Sequence, residues 1–162
     1  MAIEAEIQAV IDRETRAWDE RDVGALLEIF HPDMVWPWPP SAEQHDPVDW
    51  VFVLGRYDRE RWGRCWRDLF ESHTLVHNRR RTVRIVPSAE GDGAFAVVDV
   101  GTLWRDASGE DSHWWGRACK VYTKVDGRWL MMFQTGLLDY QVDDALDRGD
   151  GPSSTMMGSV AG

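Results

Sequence analysis

The sequence predicts an α+β domain on three observations. Helical periodicity is confined to roughly the first 72 residues, four long strand-like segments follow, and the last two are joined by Asp126-Gly127, a two-residue hairpin turn. Ile3, Ile7, Val10, Ile11, Glu14 and Trp18 recur at spacings of three and four, which makes one face of a long helix over 3–20. Asp22 is placed to cap a second helix, Val23 to Phe30, that turns Leu26, Leu27 and Phe30 inward and ends at His31-Pro32-Asp33. Met34 to Pro40 is extended and broken by prolines, an edge or rim element. Residues 41–57 read as an irregular loop with an apolar patch at Trp50 to Leu54, and whether it closes over a site is open. Asp58 caps a third helix to about Ser72, with Trp62, Trp66, Leu69 and Phe70 on its buried side. The strands Leu75 to Pro87, Ala94 to Arg105, Ser112 to Val125 and Arg128 to Tyr140 then form an antiparallel meander through turns at 90–93 and 107–110. Residues 1–142 are thus expected to be a single domain, and the Gly/Ser/Asp-rich stretch 143–162 a flexible tail.

Bulk properties exclude several function classes. The net charge is -10, from 28 acidic and 18 basic residues, which argues against a nucleic-acid surface. The one basic cluster, Arg79-Arg80-Arg81 with Arg84, falls in a strand whose alternation splits it between faces. There is no apolar run of membrane-spanning length and the first ten residues lack a signal peptide's apolar core. Cys65 and Cys119 have no zinc or disulfide spacing, so a reduced, cytoplasmic protein is the default expectation. His73 and His77 straddle a helix end and a strand start, so no metal site is expected, and no motif calls for a cofactor. Ten tryptophans are a large aromatic payload for 162 residues and suit an aromatic-lined cavity or a large interface.

The order of elements, with FHPDMVW after the second helix, the GRACKVY strand and the DGRW turn, resembles the NTF2-like superfamily, and within it the SnoaL-like and ketosteroid-isomerase-like small proteins. The resemblance covers roughly residues 3–140. It implies an NTF2-like (cystatin-like) cone, three N-terminal helices on a curved antiparallel sheet around a deep pocket, usually in a dimer. Members include isomerases, cyclases, dehydratases and epoxide hydrolases as well as non-catalytic binding and assembly domains, so the fold leaves the chemistry open.

Hairpin register supplies candidate site residues. Counting from Asp126-Gly127 puts Val125 opposite Arg128, Val121 opposite Met132 and Cys119 opposite Gln134; the looser turn near Gly109 puts Asp99 roughly opposite Cys119. One sheet face then carries Asp99, Cys119 and Gln134, with Arg117 on the diagonal and Phe95, Val97, Leu103, Val121 and Met132 around them; this face is expected to meet the helices. The other face carries Trp104, Trp114, Tyr122, Trp129 and Phe133 and is expected to be covered by a second copy, giving a homodimer through the outer sheet face. The resemblance implies a pocket acid on the strand before the last turn, where register puts Cys119, and a base after the second helix, where Trp36 to Trp38 stand. Asp99 is either a desolvated proton acceptor or the partner of Arg117 or Arg81; Glu14, on an otherwise apolar helix face, is either paired inside the pocket or solvated. If Trp18, Trp36, Trp38, Trp62 and Trp66 converge, they line a pocket for a hydrophobic small molecule.

Two classes of function fit these residues. One is a cofactor-free acid-base enzyme, with Asp99 abstracting a proton and Glu14 or Gln134 steadying the charge that develops. The other is a non-catalytic ligand-binding or dimerisation module. A weaker option is water activation of the epoxide-hydrolase kind by Asp99 with Arg117.

Overall fold

The structure is a computed structural model that describes residues 2–40, 44 and 46–136. It comprises α1 (Ile3–Asp19), α2 (Val23–Leu27), β1 (Phe30–Val35), a 3-10 turn at Pro47–Asp49, α3 (Arg59–Ser72), β2 (His73–Pro87), β3 (Gly93–Asp106), β4 (Asp111–Val125) and β5 (Arg128–Gln134). The expected caps are present: Asp22 accepts from the Ala25 amide and Asp58 from the Arg61 amide, each satisfying an N-terminal donor of its helix. The five strands form one sheet in the order β1-β5-β4-β3-β2, with three helices packed on one side.

The meander β2 to β5 is antiparallel, as the turns imply, but a further strand, β1, forms ahead of the expected rim element; only Met34 and Val35 of that element belong to it, while Trp38 makes an isolated bridge to Val51. Phe30 begins β1, which runs parallel to β5. The second helix therefore stops at Leu27, and Phe30 is a strand residue. The residues 137–140 of the expected last strand, and the expected tail 143–162, lie outside the described residues.

The two sheet faces are the reverse of the expected ones. Ala94, Ala96, Val98, Val100, Thr102 and Trp104 of β3 are the buried set, while Phe95 is 56% exposed. Trp104 and Trp114 meet Trp18 of α1, and Trp129 donates to Glu6 of α1 at 2.6 Å. The tryptophan-bearing face is thus the core, and the aromatic patch that called for a second copy is covered by the chain's own helices. Phe95, Val97, Asp99 and Leu103 share the opposite face with Arg117, Cys119 and Val121, their partners or near neighbours on β4. Hydrophobicity alone could not decide between two apolar faces. The small side chains of Ala94, Ala96 and Ala118 decide it physically, because they let helices approach the sheet closely while the large rings fill the ends of the cone.

Register also departs from the count. Val125 does pair with Arg128, but a bulge makes Met132 the extra residue between Tyr122–Met131 and Val121–Phe133. Gln134 consequently faces Lys120 rather than Cys119. At the other turn Asp99 pairs directly with Arg117, two residues from the expected partner.

Candidate functional site

Two buried groups of side chains occupy the inside of the cone, divided by Trp18. The first is polar. Glu14 projects from α1 and is 1% exposed; Lys120 of β4 is 0% exposed and donates to both carboxylate oxygens, at 2.7 and 2.6 Å. Arg80 of β2 adds a bond to Glu14 Oε1 at 2.9 Å, and Lys120 also donates to Gln134 Oε1 at 2.7 Å. Asn78 extends the network, accepting from Arg80 and Thr102 and donating to Asp19. Burial pushes the Glu14 carboxyl up, but the charges and bonds of Lys120 and Arg80 outweigh it and hold it below the ordinary value. For Lys120 burial dominates over the pull of Glu14, and its pKa falls to about 8. Tyr122 lies in the same region with its hydroxyl unpartnered among the described residues, and burial raises its pKa well above the ordinary value.

The second group is aromatic. Trp36, Trp38, Trp66 and Trp114, with Val53, Leu54 and Cys65, enclose a cavity of about 40 Å³. That holds water-sized occupants only; a benzene ring needs a cavity of roughly 150 Å³. The rings take up each other's space: Trp36 lies 5.7 Å from Trp38 and 5.6 Å from Trp66, and Trp38 lies 5.4 Å from Trp114. Trp18 backs the group at 5.0 Å from Trp66 and stands 5.9 Å below the Arg80 guanidinium. Trp62 is buried beside Phe30, Tyr57 and Trp36, and its indole donates to the Leu54 carbonyl at 3.1 Å.

The cavity roof is the strap from Val51 to Leu54. It is held by the reciprocal backbone bonds of Trp38 and Val51, at 2.8 and 2.9 Å, and by Arg61 and Trp62 on the Leu54 carbonyl. The strap carries exposed apolar side chains outward, with Phe52 59% exposed. Below it, five buried indole N–H groups, those of Trp18, Trp36, Trp66, Trp104 and Trp114, have no acceptor among the described residues. Three of the five belong to rings that line the cavity. Leaving a buried donor without an acceptor is costly.

Asp99 is on the far side of the sheet from Glu14, and the two carboxylates share no cavity. Arg117 binds Asp99 in a bidentate manner at 2.6 and 3.1 Å, and Arg81 adds a bond at 2.7 Å. Burial pushes the Asp99 carboxyl up, but the hydrogen bonds and charges of Arg117 and Arg81 prevail and keep it below the ordinary value. An arginine-locked carboxylate is a poor proton acceptor near neutral pH. Of the other expected pocket residues, Val97, Arg117 and Cys119 line a groove of about 660 Å³ on the outer face together with Trp50, Phe52 and Phe133. Burial raises the Cys119 thiol pKa. Phe95, Leu103 and Val121 are also on that face, Met132 is the bulge residue, and Gln134 is inside as the partner of Lys120.

Counting residues overlooked Lys120, Trp114, Val53, Leu54 and Cys65. Lys120 had a signal: a carboxylate at Glu14 on an apolar helix face requires a buried cation opposite it. Among the described residues no group of three His, Cys, Asp or Glu side chains could hold a metal, and no helix is long and apolar enough to cross a membrane.

Three helices packed on a mostly antiparallel five-stranded sheet, with the interior filled from α1, α3 and β4, match the architecture of the NTF2-like superfamily. The SnoaL-like domain model matches residues 11–132, and the chain belongs to that family. Among solved structures it is similar to a ketosteroid isomerase-like protein from Erwinia carotovora atroseptica, at TM-score 0.62 and 15% identity over 84% of this chain and 96% of that one. An NTF2-like protein of unknown function from Prochlorococcus marinus matches at TM-score 0.62 and 13% identity, covering 87% and 97%. A hexachlorocyclohexane dehydrochlorinase of type 2 matches at TM-score 0.60 and 16% identity, covering 85% of each chain. At such identities the likeness concerns the fold. No curated protein matches the chain.

Proposed function

We propose that this chain is a small-molecule-binding protein whose site is the tryptophan cavity under the Val51–Leu54 strap. The observation that carries the reading is the set of unpartnered indole N–H groups on Trp36, Trp66 and Trp114. Aromatic walls favour an apolar body, and donors without acceptors favour an occupant that carries a hydrogen-bond-accepting oxygen. Among the described residues the cavity wall contains no carboxylate, imidazole or ammonium group, which favours an uncharged occupant and binding over acid-base chemistry. Because the enclosed space is about 40 Å³, an aromatic occupant enters as the strap lifts from Trp38, with Gly55 at φ 66 at its end.

Calorimetric titration with acetophenone and with ethylbenzene, its counterpart without the oxygen, tests the reading. The ketone is expected to bind saturably and more tightly. Trp66→Phe removes one donor, worth about 1 kcal/mol, and should weaken the ketone about fivefold with little effect on the hydrocarbon. Absence of saturable binding across a panel of such ketones would sink the proposal.

A further inference from the structure

The strap over the tryptophan cavity is fixed at two places, and one of them crosses its hinge. At its start the amides of Trp38 and Val51 donate to each other's carbonyls, at 2.8 and 2.9 Å. Behind Val51 the chain folds into a turn in which the Gly55 amide donates to the Phe52 carbonyl at 2.8 Å. Gly55 has φ +66, a conformation that glycine adopts without steric cost, so the end of the turn can pivot there. The Arg61 side chain spans this pivot. Its Nε donates to the Leu54 carbonyl at 3.1 Å and its Nη2 to the Arg56 carbonyl, one acceptor on either side of Gly55. A Cβ at position 55 would stand 3.4 Å from the same Nη2, so the guanidinium lies against the glycine itself. The Arg61 amide is anchored in turn by the Asp58 carboxylate at 2.7 Å, at the start of α3. A planar, rigid fork that holds both carbonyls fixes the two peptide units flanking Gly55 relative to each other. The single indole donor of Trp62 reaches only the Leu54 side.

The rim opposite the strap has less freedom. A Cβ at Gly136, just past β5, would come within 2.6 Å of Pro39 and 3.3 Å of the Pro37 carbonyl, so the rim is backed tightly by the end of the sheet. The movable wall is the strap. We propose that Arg61 is a staple across the Gly55 hinge that holds the strap shut and so regulates access to the tryptophan cavity. This inference rests on the reading of that cavity as the binding site. Arg61 is not among the cavity walls, so it acts on an occupant only through the strap. The closed cavity of about 40 Å³ is far below the roughly 150 Å³ that a benzene ring needs, so the form that binds is the open one. Apparent affinity is then reduced by the fraction of molecules that are open. Removing bonds made only in the closed form should therefore tighten binding, the opposite of what loss of a ligand contact does.

Amide hydrogen exchange in the full chain, compared between wild type and Arg61→Met without ligand, tests the staple. Exchange at Val51 and Trp38, whose amides hold the strap to the rim, is expected to speed up about tenfold on loss of two bonds from a charged donor. Trp62, whose amide donates to the Asp58 carbonyl at 2.9 Å, and Val98 in β3 should keep their protection, which shows α3 and the sheet intact. Arg64→Met, which removes only a surface bond to Glu60, should change none of the four. Calorimetric titration with acetophenone should then show Arg61→Met binding more tightly than wild type by a similar factor. Unchanged exchange at Val51 overturns the proposal, as does an equal loss of protection at Trp62, which would mean a fraying helix. Weaker ketone binding by Arg61→Met also overturns it. Faster exchange at Val51 with no saturable ketone binding in either protein supports the staple and refutes the cavity as the site, so the two failures are distinguishable.

Discussion

Removing the Glu14 charge is expected to destabilise the fold more than any other single change inside the cone. The carboxylate answers two buried cations at once, Lys120 at 2.6 Å and Arg80 at 2.9 Å. Glu14→Gln leaves both with no anion, and breaking a buried pair from one side costs about 3–5 kcal/mol. Lys120 can limit this by shedding its proton. Neutralising an ammonium of ordinary pKa 10.5 at pH 7 costs about 1.36 kcal/mol per pH unit, so the ceiling is about 5 kcal/mol. Lys120→Met is milder, about 1–3 kcal/mol, because Glu14 keeps its bond to Arg80. The double variant should cost at least about 1.5 kcal/mol less than the sum of the singles, since Glu14→Gln no longer strands an ammonium. Urea unfolding of the four proteins at pH 7 reads this directly, and the penalty for Glu14→Gln should shrink as the pH approaches 10. Single effects within about 0.5 kcal/mol of zero, or additive effects, would refute the placement of Lys120 against Glu14.

Three further outcomes follow from the same geometry. The Lys120 side-chain carbon resonance should titrate near pH 8; the folded chain gives up this proton before the unfolded chain does, so the group's contribution to stability rises from about pH 8 toward 10.5. Asp99 and Glu14 are held below their ordinary values, so their stabilisation is complete above the unfolded carboxylate range and is lost as pH falls through the lower folded values. Asp99→Asn should therefore lower the urea midpoint at pH 7 and flatten its decline between pH 4 and 2, whereas an unchanged acid limb would contradict the ion-pair account. Asp58→Ala removes the cap of α3 and should cost about 1 kcal/mol in thermal or urea unfolding, with the helix otherwise intact.

Much of the fold was legible because it rests on local signals. Asp22 and Asp58 mark the starts of α2 and α3, Asp126-Gly127 fixes the β4–β5 turn, and alternation gives β2, β3 and β4 nearly the right length, whereas β5 ends at Gln134, short of the expected Tyr140. What failed depended on distance. Phe30 reads as the end of a helix, yet its partner Met131 lies across the chain, and parallel pairing has no turn to announce it. The bulge at Met132 moved Gln134 from Cys119 to Lys120, and no residue near it signals an inserted position. Which sheet face met the helices turned on the size of Ala94, Ala96 and Ala118 rather than on hydrophobicity. Glu14 was visible as an anomaly on an apolar helix face, but its partners came from β2 and β4. Whether the tryptophans of α3 and the rim segment converge with Trp18 could not be read from the sequence; in the structure they lie together and fill most of the space they enclose.

The most direct test of ligand binding at the cavity is the proton–nitrogen spectrum of the ten indole groups during titration with acetophenone. The expected result is a saturable downfield shift of the Trp36, Trp66 and Trp114 indole protons as they gain an acceptor, with the Trp62 and Trp129 indoles, already bonded to Leu54 and Glu6, little changed. The same titration with ethylbenzene should leave the three without that downfield shift. Uniform small shifts across all ten signals, or shifts confined to Trp50 and Trp115, would contradict binding in the tryptophan cavity.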